Sequence, residues 1–214
     1  MKKSVYSLVL MDSVIKAVDE RAYALGTSRS NLINQILAQQ LSCVTPEMRM
    51  REIFNAVNEL LGDSLQVQQQ HSASLMTLRT ALEYKYRPTI NYKVELARSP
   101  DDYIGMLRVF IRTQSNALIS LFNDFFLFFI EMEARILPKF GYNNYKYELS
   151  SGCFTRNLIN SRDYGNASVG ESISAYIRFL DHSIKIYFSQ PERLSVNSAQ
   201  IEAEYILLLK ETII

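Results

Sequence analysis

The pattern of apolar and polar positions divides the chain into a short alternating segment followed mostly by helical repeats. From Ser4 to Leu10 the period is two: Tyr6, Leu8 and Leu10 fall on one side, and Val5, Ser7 and Val9 on the other. This spacing predicts a strand with one covered face. Val14, Val18, Ala22 and Leu25 then recur every three or four positions, which predicts a helix capped by Asp12 or Ser13. Gly26 is its natural stop, because glycine takes positive φ without steric cost. Ser28 reads as the N-cap of a second helix, with Leu32, Ile33, Ile36, Leu37 and Leu41 on its apolar face. A lone strand leaves its backbone edges unpaired. The pattern therefore calls for a two-stranded antiparallel ribbon built by two chains.

Thr45-Pro46 marks the first boundary, since the residue before proline leaves the helical region. From 46 to 87 a polar, helix-prone connector is expected. Ile53, Val57, Leu60, Ser64, Val67, His71, Leu75, Leu78 and Leu82 make a heptad-like seam, spoiled at Ser64 and His71. A dimeric coiled coil and a helical hairpin broken near Gly62 both fit it. Beyond Arg87-Pro88, strict alternation at Ile90, Tyr92, Val94 and Leu96 predicts a strand. Tyr145, Tyr147 and Leu149 predict a shorter one, suited to pair with the first. Between them a long buried helix is expected over about Pro100–Leu137, with Asp101 and Asp102 in its first turn and Phe122, Phe125, Phe126, Phe128 and Phe129 on its faces. Ser150–Gly170 reads as loop with a short helix at Phe154–Ile159. Ser168 and Glu171 form a capping-box pair ahead of a helix carrying Ile173, Ile177, Leu180, Ile184 and Tyr187. A last helix is expected over about Ser198–Thr212. The fold class read this way is mainly α with some α+β character. It comprises an N-terminal strand-helix-helix module (1–45), a helical connector (46–87) and a mostly helical C-terminal domain (88–214) with one or two short strands.

Composition adds constraints. Hydrophobic residues make up 48% and charged residues 21% of 214 residues, an ordinary globular balance with ample material for a core. The net charge is +1, so any nucleic-acid affinity must come from a local patch. Five cations (Lys2, Lys3, Lys16, Arg21, Arg29) against three acids (Asp12, Asp19, Glu20) give the first 45 residues +2 and leave the remainder at −1. Cys43 and Cys153 lie in no motif and read as reduced thiols of a cytoplasmic protein. The apolar run Leu118–Ile130 is too short to span a bilayer and is interrupted by Asn123 and Asp124. No membrane partner is expected. His71 and His182 show no metal-ligand spacing, and neither a phosphate-binding glycine loop nor a nucleophile elbow occurs. Neither an enzymatic role nor a metal or other cofactor is expected.

Lys2-Lys3, the alternation to Leu10, Asp12-Ser13-Val14, Leu25-Gly26 and Ser28-Arg29-Ser30 together resemble the ribbon-helix-helix family, the Arc/MetJ/CopG class of DNA-binding proteins. The resemblance covers about a fifth of the chain. It implies paired strands in the major groove, with Lys3, Val5, Ser7 and Val9 toward the bases. It implies that Lys2, Thr27, Ser28, Arg29 and Ser30 contact phosphate, the last four at a helix N-terminus. It implies a dimer core of Tyr6, Leu8, Leu10, Val14, Val18, Leu32 and Ile36. One departure stands out: family members carry hydrogen-bonding side chains at the base-reading positions, whereas Val5 and Val9 offer only apolar contacts, for instance to thymine methyls.

The expected function is a sequence-specific double-stranded DNA-binding regulator, a repressor, working as a homodimer or tetramer with an unidentified effector for its C-terminal domain. Two alternatives remain open. One is an accessory DNA-binding protein of a plasmid or other mobile element; the other is an interaction scaffold that uses the ribbon only to dimerise.

Overall fold

The computed structural model describes residues 5–85, 87–160, 169–189, 194–212 and 214. By their internal contacts these divide into two compact units, Met1–Arg49 and Met50–Ile214.

The first unit is built on two helices, α1 (Asp12–Ala24) and α2 (Arg29–Gln40). They lie where the apolar periodicity places them. Gly26 ends the first with φ +59°, and Ser28 caps the second, its Oγ accepting the Asn31 N–H at 3.2 Å. Met11, rather than Asp12 or Ser13, is the N-cap of α1, and it supplies no side-chain cap. Residues 5–11 contain no strand. Strand structure requires a hydrogen-bonded neighbour, and among the described residues no strand pairs with this segment.

The second unit overturns the expectation of a mostly helical domain. Its central feature is a six-stranded antiparallel sheet in the order β1-β2-β3-β4-β6-β5. The strands are β1 (Gln66–Ser72), β2 (Leu75–Ala81), β3 (Thr89–Leu96), β4 (Tyr103–Arg112), β5 (Tyr147–Ser150) and β6 (Cys153–Ile159). Four helices share a core with it: α3 (Pro46–Leu61), α4 (Asn116–Ile136), α5 (Val169–Ser189) and α6 (Leu194–Glu211). A sheet with a helical layer on one face, and not a ribbon followed by helices, is therefore the architecture.

Each misread segment has a physical cause. The connector expected to be helical over 46–87 is helix only to Leu61, and Gln66–Ala81 is the β1–β2 hairpin. Leu75, Leu78 and Leu82 fit a helical step, but Met76, Leu78 and Thr80 equally fit a strand, and the sheet buries the latter set. The helix expected from Pro100 begins only at Asn116, capped by Ser115. Tyr103–Arg112 is strand β4, and its inward residues Ile104, Leu107, Val109 and Ile111 were hidden by the apolar Met106 and Phe110 on the other face. Phe154–Ile159 is strand, not helix, with Phe154, Arg156 and Leu158 pointing into the core. The two strands expected to pair do not: β3 lies between β2 and β4, and β5 pairs only with β6. Ser168 of the expected capping box lies outside the described residues.

The core is aromatic. Phe126 of α4 stacks on Phe154 of β6 at 4.2 Å between ring centroids, and Phe125 meets Tyr187 of α5 edge-on at 5.1 Å. Phe179 of α5 stacks on Tyr205 of α6 at 5.3 Å. Backbone approach is closest at β4, where the register against β6 shifts between Tyr103 and Gly105. A Cβ at Gly105 would stand 2.2 Å from the Glu95 carbonyl oxygen. Gly105→Ala is expected to destabilise the fold by about 1–3 kcal/mol through forced strand displacement, read as a lower urea midpoint at unchanged slope.

Candidate nucleic-acid interface and the buried polar cluster

Residues of the first unit singled out from the sequence fall into three groups: a base-reading segment, a phosphate-binding turn and a dimer core. Lys2 and Lys3 lie outside the described residues. Val5, Ser7 and Val9 are exposed, Val5 and Val9 fully so. On the other side of the same segment exposure falls from Tyr6 (85%) through Leu8 (51%) to Leu10 (36%). The two-fold alternation thus survives as a gradient of shielding, even without a paired strand.

The second group is the α1–α2 turn. Thr27 Oγ1 accepts the Asn31 side-chain amide at 2.9 Å, and Ser28 Oγ accepts the Asn31 backbone N–H, so one residue fastens both hydroxyls. The N–H groups of the first helical turn have no intrahelical acceptor, and they give this end of α2 its positive character. Arg29 stands beside them with its guanidinium engaged by Asp19 of α1, both side chains solvent-accessible. A surface pair of this kind is weak and yields readily to a competing anion.

The third group was expected to form a dimer core. The fold brings Val14, Val18, Leu32 and Ile36 together: with Ser13, Ala17 and Arg21 they line a shallow hollow of about 330 Å3. Leu32 is buried, while Val14 and Ile36 remain exposed. Only Ala22, Leu32 and Ala38 of the two helices are buried. A helix pair with so little interior is apolar on its outside.

The chain matches no family model, no curated protein and no solved structure. Function must rest on the residues themselves.

Sequence reasoning missed one constellation. Glu133 of α4 and Arg156 of β6 are 0% and 1% exposed and pair through Arg156 Nε and Glu133 Oε2 at 3.1 Å. Glu133 Oε1 accepts the hydroxyls of Tyr176 (α5) at 3.0 Å and Tyr205 (α6) at 2.5 Å. Arg156 also donates from Nη1 to the Ile214 carbonyl at 2.6 Å, and its guanidinium lies 4.5 Å from the Tyr176 ring centroid. Burial opposes the arginine's charge, but Glu133 and the surrounding tyrosines more than offset it and hold Arg156 protonated beyond its usual range. A smaller cluster joins Tyr92 to Asp181 at 2.9 Å and Asp181 to Lys185 at 2.6 Å. Apart from the i,i+4 pair Asp181–Lys185 on α5, the partners in both clusters come from different elements, so no local sequence signal joins them. Both are sealed from solvent at their centres and act as structural ties.

His182, expected on an exposed helix face, sits there and meets Glu204 at 3.1 Å. The His71 side chain lies outside the described residues. Cys43 and Cys153 are free thiols. Among the described residues no group of three or more His, Cys, Asp or Glu is placed to hold a metal ion, and no helix is long and apolar enough to cross a membrane.

Two outcomes follow for the buried cluster. Glu133→Gln leaves Arg156 charged without compensation, and a loss of about 3–5 kcal/mol is expected. The double variant Glu133→Leu with Arg156→Met should recover most of it in the same denaturant titration. Burial, reinforced by Asp181 for Tyr92 and by Glu133 for Tyr205, raises the pKa of Tyr92, Tyr176 and Tyr205 well above 10.0. A raised folded-state pKa gives stability that is complete below pH 10 and is lost as pH climbs past it. Each of the three should cost about 1.4 kcal/mol per pH unit there. Tyr205→Phe should make the alkaline decline shallower by one such increment, measured by urea unfolding from pH 9 to 11.5.

Proposed function

We propose that this chain is a sequence-specific double-stranded DNA-binding regulator that works as a dimer through its first unit. The observation that carries the reading is the unfinished apolar surface of that unit. Val5, Tyr6, Leu8, Val9 and Met11 are all more than half exposed on a segment that forms no strand among the described residues, in the same unit as the Val14–Val18–Leu32–Ile36 hollow. A second copy supplies both needs. Two Val5–Leu10 segments satisfy each other's backbone groups, and the graded face of Tyr6, Leu8 and Leu10 turns inward onto apolar helix residues.

In that arrangement Val5, Ser7 and Val9 remain outside, where a base-reading face belongs. Ser7 is the hydrogen-bonding group between two apolar ones, so direct readout favours methyl-rich sites with a single polar anchor. The N-terminal turn of α2 supplies phosphate contacts that fix register without carrying sequence. Arg29 exchanges Asp19 for a phosphate oxygen, a modest rearrangement because the existing pair is solvent-exposed.

The test is salt-dependent binding of the full chain to duplex DNA, followed by selection of bound duplexes from a random pool. Arg29→Ala is expected to weaken binding to all sequences alike and to lower the salt slope by about one. Ser7→Ala is expected to change the selected sequence. No affinity above background at low salt overturns the DNA reading, and an unchanged preference in Ser7→Ala overturns the assignment of the outward face.

A further inference from the structure

The sheet of the second unit has two unlike faces. The inner one carries Met76, Leu78, Tyr92, Val94, Leu107, Val109, Phe154 and Leu158, all at most 1% exposed. The other face is mixed, with charged and polar residues beside Met106 and Phe110, and it can be read in rows from the strand register. One row crosses the sheet as Thr77, Lys93, Arg108, Thr155 and Glu148. Lys93 and Arg108 are thus directly opposed on adjacent strands.

Like charges in that position repel, because directly opposed side chains on one sheet face stand only about 5 Å apart. An acid beside them would cancel the cost. Neither Lys93 nor Arg108 has an ion-pair partner among the described residues, although Glu95 and Glu148 stand on the same face. Asn91, one step along β3 from Lys93 on this face, is 2% exposed, and its side-chain amide nitrogen has no acceptor. Two unpaired cations and an unsatisfied donor on one face call for an acceptor-rich anion.

The adjoining row is Glu95, Met106 and Asn157. These residues, with Tyr103, Thr155 and Lys146, line an open hollow of about 540 Å3, within the roughly 300–1,000 Å3 of small-molecule sites. Met106 is more than one-third exposed and forms apolar floor. Tyr103 is fixed by its hydroxyl on Asn144 at 2.8 Å and carries Lys146 Nζ 5.7 Å from its ring centroid. The hollow therefore offers a flat apolar surface, an aromatic wall and a rim of amide, hydroxyl and carboxylate groups, which together suit a heterocycle with its sugar hydroxyls. Thr155 belongs to both the hollow and the cationic row, so the two are continuous.

We propose that this face binds a nucleoside phosphate, with the ring and sugar in the Tyr103–Met106 hollow and the phosphate between Lys93 and Arg108. Asn91 supplies a neutral donor to the same anion. The site is independent of the DNA reading, since every residue in it belongs to the second unit.

The experiment is calorimetric titration of the full chain with purine and pyrimidine nucleoside mono- and diphosphates, and with inorganic phosphate, adenosine and a single-stranded oligonucleotide as comparisons. At least one nucleotide is expected to bind ten times more tightly than either inorganic phosphate or the free nucleoside. Arg108→Thr and Lys93→Met should each weaken it at least tenfold. Because either change relieves the cross-strand repulsion, the unliganded variants should melt no lower than the parent. Met106→Glu should abolish nucleotide binding. The proposal is overturned by absence of nucleotide binding, by equal affinity for inorganic phosphate, by nucleotide affinity unchanged in both cation variants, or by an oligonucleotide that binds more tightly per site than any mononucleotide.

Discussion

The second unit depends on a charge pair that water never reaches. Glu133 and Arg156 bring together α4 and β6 directly, α5 and α6 through the Tyr176 and Tyr205 hydroxyls, and the Ile214 carbonyl through the guanidinium. Taking two charges out of water costs several kcal/mol per ion, and the cost is offset only when geometry and hydrogen bonding are nearly complete. That condition restricts how the helices can stack on the sheet. Any helical register that moved Tyr176 or Tyr205 away would leave a carboxylate lone pair unmet in an aromatic interior. The Phe126–Phe154 stack and the Phe179–Tyr205 stack fill the space around the pair, and dispersion alone would tolerate sliding that the polar tie does not.

The two units solve the problem of burial differently. In Met50–Ile214, helices and sheet enclose a continuous core, and the other side of the sheet carries most of its charged residues. In Met1–Arg49, two short helices bury only a few side chains and leave apolar residues on the surface and along the preceding extended segment. Isolated helices of 12 and 13 residues are marginal in water without tertiary burial. The first unit is therefore the part of the chain with the least interior of its own to stabilise it.

A single-faced sheet also divides labour. The inner face is constrained by packing, so its residues are mostly large and apolar, with Arg156 and Thr80 as polar members. The outer face is free of that constraint, and there Lys93 and Arg108 stand directly opposed across β3 and β4.

What the sequence determined was local. The 3.6-residue periodicity and the Gly26 and Ser28 signals placed α1 and α2, because helix boundaries are set by caps and by backbone groups a few residues apart. Strand β3 was legible from its alternation, and α4, α5 and α6 from their apolar faces, although the start of α4 was misplaced by the Pro100-Asp101-Asp102 turn. The sheet was not legible. Leu75–Ala81 and Tyr103–Arg112 carry apolar residues on both faces and fit either period, and in β6 a charged Arg156 occupies an inward position that pattern reasoning assigns to solvent. Only tertiary structure could decide these segments. A strand is stabilised by neighbours distant in the chain, and Arg156 is tolerated inside because Glu133, 23 residues earlier, arrives on another element to meet it. The Lys93–Arg108 face was invisible for the same reason: it exists only through the register that sets β3 against β4.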